Sequence, residues 1–218
     1  MIVVLPTSSA SPGVVPDDDE HYGPAVSSYE VVWKSGDGAL VIGVWDFRGE
    51  QRTRPRDGLE QGYEEITTII EGSLAVECDG VVVQLGAGDT VVYDCPIGAK
   101  HLSAPAGFRA IYVVRYHGTS GGGRVVKLGE AAFESADGRL SAGLWEYDGE
   151  SRSEAANGYD EVLVVTRGTI AVAAESAEGT AGAGDVVVYT SPLAAKTVRA
   201  AGLRASYVVV AHGATAEP

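Results

Sequence analysis

Two side chains carry most of the chemistry this sequence offers. One is the carboxylate of Glu65, in "GYEEITTIIEG" (62–72); the other is the imidazole of His101, ending "GAGDTVVYDCPIGAKH" (86–101). Imidazole as a side-chain type titrates near neutral pH, so His101 is a candidate ligand or general base, with a satisfied histidine at a strand start as the plain alternative. Around Glu65, strand alternation sets Gln61, Tyr63, Thr67 and Ile69 on one face. That face offers an amide oxygen, a hydroxyl, a carboxylate and a phenol able to donate a proton. Just ahead of it, "QRTRPRDGLE" (51–60) carries Arg52, Arg54 and Arg56. Guanidinium forks suit carboxylate or phosphate, and such a cluster would draw an anionic substrate; a solvated loop paired with nearby acids is the plainer reading. Cys78 and Cys95 lack C-x-x-C spacing, and no G-x-S-x-G elbow or phosphate loop occurs.

The elements that must position these groups are repeated. "GYEEITTIIEG" returns as "GYDEVLVVTRG" (158–168), "GVWDFRGE" (43–50) as "GLWEYDGE" (143–150), and "GAGDTVVYDCPIGAKH" as "GAGDVVVYTSPLAAKT" (182–197). "FRAIYVVRYHG" (108–118) matches "LRASYVVVAHG" (203–213), and "GTSGGG" (118–123) between the copies has linker composition. Each copy is built of short segments rich in Val, Ile, Tyr and Thr, separated by Gly, Asp and Pro, with no sustained helical period. The expectation is an all-β chain of two sandwich or barrel units. Boundaries fall at a flexible lead-in over 1–24, a first unit over 25–118, a Gly-rich linker over 119–124, a second unit over 125–213 and a tail over 214–218. A lid or a swapped strand is the alternative for the Ser-, Pro- and Asp-rich part of the lead-in.

The net charge of −14 argues against nucleic acid and anionic membrane surfaces as partners. Two cysteines imply no disulfide framework, and no apolar run approaches the roughly 20 residues of a membrane span. The expectation is a soluble cytoplasmic protein with a small-molecule substrate.

The pattern E-x6-G at Glu65–Gly72 and Glu161–Gly168, followed by "GD" and by "P-x-G-x-x-H" ending at His101, resembles the two motifs of the cupin superfamily. The Trp-containing first strand, the "Y-[ED]-E" opening, Lys100 beside His101 and the "R-x-x-Y" strand resemble the subfamily of ureidoglycine aminohydrolase and the ethanolamine-utilisation cupin. The resemblance spans about residues 30–118 and 125–213 and implies a bicupin of two tandem jelly-roll (double-stranded β-helix) barrels. It also implies a monomer with an internal pseudo-dimer, or a homodimer. Both copies depart from the pattern by two extra residues between "GD" and Pro.

Mapped residue by residue, the resemblance gives Gln61, Glu65 and His101 as ligands of a divalent ion such as Mn, Fe, Ni or Zn. Both first-motif histidines are missing, at Leu59 and Gln61. In copy two, Gln61, Glu65, Thr67 and His101 become Asn157, Glu161, Leu163 and Thr197. That loss of polar groups places the working cavity in copy one and makes copy two a scaffold. Lys100/Lys196, Trp45/Trp145, Tyr63/Tyr159 and His117/His212 recur in both copies, which points to packing and ion pairing. Three functions follow. The first is a metal-dependent hydrolase, isomerase or oxygenase with Tyr63 or Thr67 orienting substrate and the arginines selecting anions. The second is a metal-free lyase, cyclase or isomerase using Glu65 and His101 as an acid/base pair. The third is a non-catalytic ligand-binding or scaffold bicupin.

Overall fold

The computed structural model describes residues 1–7, 13–14, 21–22, 25–53, 62–95, 97–117, 123–129, 131–154, 158–175, 177–192 and 195–212. Among them there is no helix. The first strands are β1 (Ile2–Leu5), β2 (Gly13–Val14), β3 (His21–Tyr22), β4 (Ala25–Lys34), β5 (Leu40–Thr53) and β6 (Tyr63–Cys78). Then come β7 (Val81–Gly86), β8 (Thr90–Asp94), β9 (Lys100–Tyr116), β10 (Arg124–Lys127) and β11 (Phe133–Glu134). The last are β12 (Leu140–Glu154), β13 (Tyr159–Ala174), β14 (Ala177–Gly182), β15 (Val186–Tyr189) and β16 (Lys196–Ala211).

These strands form two antiparallel sheets, one per repeat, each closing on its own apolar interior. The order is β10-β8-β6-β9-β5-β4-β2 in the first and β1-β15-β13-β16-β12-β11 in the second, with β7 on β6, β3 on β5 and β14 on β13. Two short strands sit in the sheet of the other repeat. Ile2–Leu5 pairs with β15, so this part of the 1–24 lead-in belongs with the C-terminal unit, while Arg124–Lys127 pairs with β8 of the N-terminal unit. The boundary drawn at 124/125 is therefore corrected to Leu128. Both segments are β-branched runs, and each satisfies backbone N–H and C=O groups that an edge strand would otherwise leave open.

Local sequence explains the turns. Asp79-Gly80 closes the β6–β7 hairpin with both residues at positive φ, the two-residue loop that Asp-Gly favours. In "GAGD" the carboxylate of Asp89 accepts from the Gly86 amide at 2.8 Å, and Asp185 does the same for Gly182 at 2.9 Å. That shared motif makes a turn. The core of the N-terminal barrel is built on Trp45, Phe47, Ile69, Leu74, Tyr93 and Phe108. Leu163, Ile170, Val187, Tyr189, Val198 and Leu203 do the same in the C-terminal one.

Gly72, the last residue of the first E-x6-G run, has φ +78, and a Cβ there would collide with the backbone carbonyl of Gly107. Gly38 has φ +71 but open space around it. Gly38→Ala is expected to cost about 1–2 kcal/mol from its left-handed backbone alone. Gly72→Ala is expected to exceed it, at about 3–4 kcal/mol, because backbone must move as well. Urea unfolding of the two variants tests this, and equal losses would show the steric contact to be unimportant.

Candidate functional site

Strand pairing sets which side chains enter the N-terminal barrel. On β6, Tyr63 and Ile69 pack in the core, so Glu65 and Thr67, at alternate positions between them, share the inner face. Thr67 donates its hydroxyl to Glu65 Oε1 at 3.0 Å. Tyr93 on β8 lies directly across from Glu65. On β9, Leu102 and Ala104 point into the core, and Lys100 shares their parity. Its ammonium sits 4.3 Å from the centroid of the Tyr93 ring. Gln51, opposite Leu102, completes this inner face.

Two buried polar atoms here have no hydrogen-bond partner among the described residues, the Tyr93 hydroxyl and Gln51 Oε1. Burial, and secondarily the Glu65 carboxylate, pushes the Tyr93 phenol well above its ordinary range, so it remains a proton donor. Burial, with Glu65 and then Tyr29 adding to it, raises Tyr112 to about 12. Cys95 is raised, first by burial, against the opposing effects of its hydrogen bond with Tyr63 and of the Lys100 charge. Cys78, across from Lys100 in the β6–β9 pairing, is pushed up to about 11 by burial and then by Asp79. Both thiols are buried and free.

Of the residues expected at the site, Glu65, Tyr63 and Thr67 share the inner face. His101 does not join them. It alternates with Lys100 and Leu102, lies across from Glu77 and Arg52, and is 31% exposed, with Nδ1 3.8 Å from Glu77 Oε2. The expectation that His101 enters the barrel is thus corrected, because a pleated strand cannot turn residues 100, 101 and 102 the same way. Arg52 is exposed on that outer face. Gln61, Arg54 and Arg56 lie outside the described residues.

The expected ligand set is therefore not assembled among the described residues, where no group of three His, Cys, Asp or Glu side chains could hold a metal. A divalent ion beside Glu65 would share its face with the Lys100 ammonium, protonated phenols and thiols held toward their neutral forms. Such neighbours are poor partners for a cation, and the donors among the described residues do not by themselves fit a resident metal.

The C-terminal barrel is not the greasy scaffold expected of it. Leu163 does line its core. Yet Lys196, only 2% exposed, donates to Glu161 Oε2 at 2.7 Å and lies 3.2 Å from Glu154 Oε2. Its ammonium stands 3.4 Å from the centroid of Tyr189, which faces Glu161 across the β13–β15 pairing. The Tyr189 hydroxyl, like that of Tyr93, is buried without a partner among the described residues. The glutamate, lysine and tyrosine of one barrel thus occupy the matched positions of the other. Recurrence in both copies points to packing and ion pairing for the lysines, and Lys196 makes such ion pairs, while the parity of "KHLSA" and "KTVRA" puts both lysines inside. His117 and His212 meet matched acids on the opposite face of the sheets: His117 Nε2 lies 3.3 Å from Glu64 Oε1, and His212 Nε2 3.0 Å from Asp160 Oδ1.

No family model and no curated protein matches the sequence. Solved structures match over nearly the whole chain. Protein Ylba from E. coli, of the DUF861 family, superposes with a TM-score of 0.68 at 10% identity, covering 96% of this chain and 90% of its own. Bacterial pirin YhhW from Escherichia coli, solved in complex with nickel(II), gives 0.59 at 14% identity, covering 98% and 100%. A salicylate 1,2-dioxygenase from Pseudoaminobacter salicylatoxidans gives 0.57 at 9% identity, covering 79% and 71%. The chain has a cupin fold. At such identities the likeness speaks for the two-barrel cupin architecture alone, and the chemistry must be argued from the inner faces.

Two predictions test these electrostatics. The Cys78 thiol has a folded pKa of about 11 against 9.0 for the ordinary group. The folded state therefore keeps a proton that the unfolded chain releases. Its contribution is complete below pH 9.0 and is lost as pH rises toward about 11. Unfolding free energy from urea titrations is expected to fall over that window, with a shallower slope in Cys78→Ala. Separately, Lys196→Met leaves two carboxylates facing each other and should cost about 2–3 kcal/mol, the lower part of the buried range because both acids keep some solvent. Adding Glu161→Gln should recover part of that loss in a double-mutant cycle.

Proposed function

We propose that the N-terminal barrel is a metal-independent acid/base site acting on a small carbonyl or carboxylate metabolite. The observation that carries this reading is the shared inner face of Glu65, Lys100 and a fully buried Tyr93 hydroxyl that has no partner among the described residues. Glu65 and Lys100 are each partly exposed, so a small molecule can reach them. The roles follow from the groups. The ammonium of Lys100 and the phenol of Tyr93 are donors suited to a carbonyl or carboxylate oxygen on which negative charge develops. The Glu65 carboxylate, oriented by the Thr67 hydroxyl, takes the proton from the adjacent carbon. Tyr63 stands on the same face as a second proton donor. The reaction class is proton abstraction beside a carbonyl, which serves an isomerase, a lyase or a cyclase.

The resemblance of the repeat motifs to the ureidoglycine aminohydrolase subfamily supports an enzyme of small metabolites. The described donors around Glu65 are better suited to proton transfer than to the metal set of such cupins.

The test is deuterium incorporation from D2O at the carbon beside the carbonyl of pyruvate, 2-oxobutanoate and oxaloacetate, followed by proton NMR. Exchange is expected with at least one of them, unaffected by EDTA, and reduced about 100-fold or more in Glu65→Gln and Lys100→Met. His101→Ala should leave it unchanged. Absence of exchange with all three compounds would overturn the proposal. So would stoichiometric uptake of Mn, Fe, Ni or Zn that is lost in Glu65→Gln.

A further inference from the structure

The interior of the C-terminal barrel carries charged groups in a different balance. Two carboxylates, Glu154 and Glu161, meet one ammonium, Lys196. Arg152 approaches Glu154 only at 3.8 Å and from a position 57% exposed, where an ion pair is heavily screened. Lys196 is used up: its ammonium serves both acids and rests on the Tyr189 ring, with 2% exposure. The acids are not. Glu161 Oε1 has no hydrogen-bond partner among the described residues, and Glu161 and Glu154 remain 15% and 24% exposed.

The second, independent observation is Tyr189. Its side chain is fully buried, and its hydroxyl has no partner among the described residues. Tyr189 stands directly across from Glu161 in the β13–β15 pairing, and its ring carries the ammonium that both acids share. Burial first, then the charges of Glu161 and Glu154, push its ionisation far upward. An unpartnered hydroxyl at such a position costs about 1–3 kcal/mol. A phenol oxygen can accept as well as donate.

The register explains how the extra acid arrives. Irregularities in the β12–β16 pairing between Tyr147 and Arg152 bring Glu154 directly opposite Lys196. In sequence, "GVWDFRGEQRTR" (43–54) stands beside "GLWEYDGESRSE" (143–154), so the first repeat has Arg54 where the second has Glu154. The charge at this position is reversed between repeats. The partly exposed groups of the C-terminal interior are acceptors, and its strongest donor is already engaged.

We propose that the C-terminal barrel is a second ligand site, taking a small organic ammonium compound on Glu161, Glu154 and the Tyr189 hydroxyl. The ligand's N–H groups donate to the free oxygen of Glu161, to Glu154 and to the phenol oxygen. Its positive charge adds to that of Lys196 in balancing the two carboxylates, which the exposed Arg152 meets only at Glu154 and at 3.8 Å among the described residues. The site is separate from the one proposed in the N-terminal barrel and does not rest on it.

The experiment uses three near-isosteric probes, n-propylammonium, 1-propanol and propionate, titrated into the full-length protein and followed by NMR shifts of the protein. Propylammonium is expected to bind more tightly than the other two. Its affinity should fall about tenfold in Glu154→Gln, the loss of one charge-assisted contact, and be largely retained in Glu154→Asp. Tyr189→Phe should weaken it by a smaller factor. Lys100→Met, in the other barrel, should leave it unchanged. A thermal melt of each variant confirms folding, so that a lost site is read apart from a lost structure. Tighter binding of propanol or propionate would overturn the proposal, as would propylammonium binding that is indifferent to Glu154→Gln or sensitive to Lys100→Met.

Discussion

A pleated strand turns neighbouring side chains to opposite faces, and nearly everything about the interior of these barrels depends on that constraint. In β9 the apolar pair Leu102 and Ala104 fixes the inner face, and in β16 Val198 and Ala200 do the same. Once those residues are inside, Lys100 and Lys196 are inside with them, and position 101 is outside whatever residue it holds. The imidazole of His101 then finds a surface partner in Glu77 rather than a place beside Glu65.

Bringing a lysine into an apolar barrel is costly unless its charge is matched. In the C-terminal barrel the match is visible as contacts with two glutamates and a tyrosine face, the last a cation–π geometry. In the N-terminal barrel the lysine rests against Tyr93, and Glu65 is held by Thr67. Each barrel retains a buried phenol hydroxyl with no partner among the described residues. A core selected for stability alone would replace such a tyrosine by phenylalanine at little cost, and both proposed sites rest on these two hydroxyls.

The two repeats have diverged around this common arrangement. Thr67 is replaced by Leu163, which removes the hydroxyl that orients the glutamate. A change of register in β12 adds Glu154. The first repeat has thiols at Cys78 and Cys95 near its lysine, both held toward the protonated form, whereas the second has none. One ancestral frame thus carries two differently charged interiors.

The sequence by itself determined the repeat, the all-β class, the turn chemistry of Asp79-Gly80 and of the two Gly-Asp motifs, and the common face of Tyr63, Glu65 and Thr67. These rest on local periodicity and on residues whose backbone preferences are strong. The inward parity of Lys100 is also legible in the alternation of "KHLSA", whereas the motif spacing points to His101. Only the tertiary structure decided the rest. The placing of Ile2–Leu5 and Arg124–Lys127 in the sheets of the opposite repeats, the arrival of Glu154 beside Lys196, and the burial of the Tyr93 and Tyr189 hydroxyls without a partner among the described residues all depend on contacts between residues remote in sequence. No periodicity encodes which edge strand a short β-branched run will satisfy, or how a bulge shifts register, because those outcomes are set by the closing of the whole barrel.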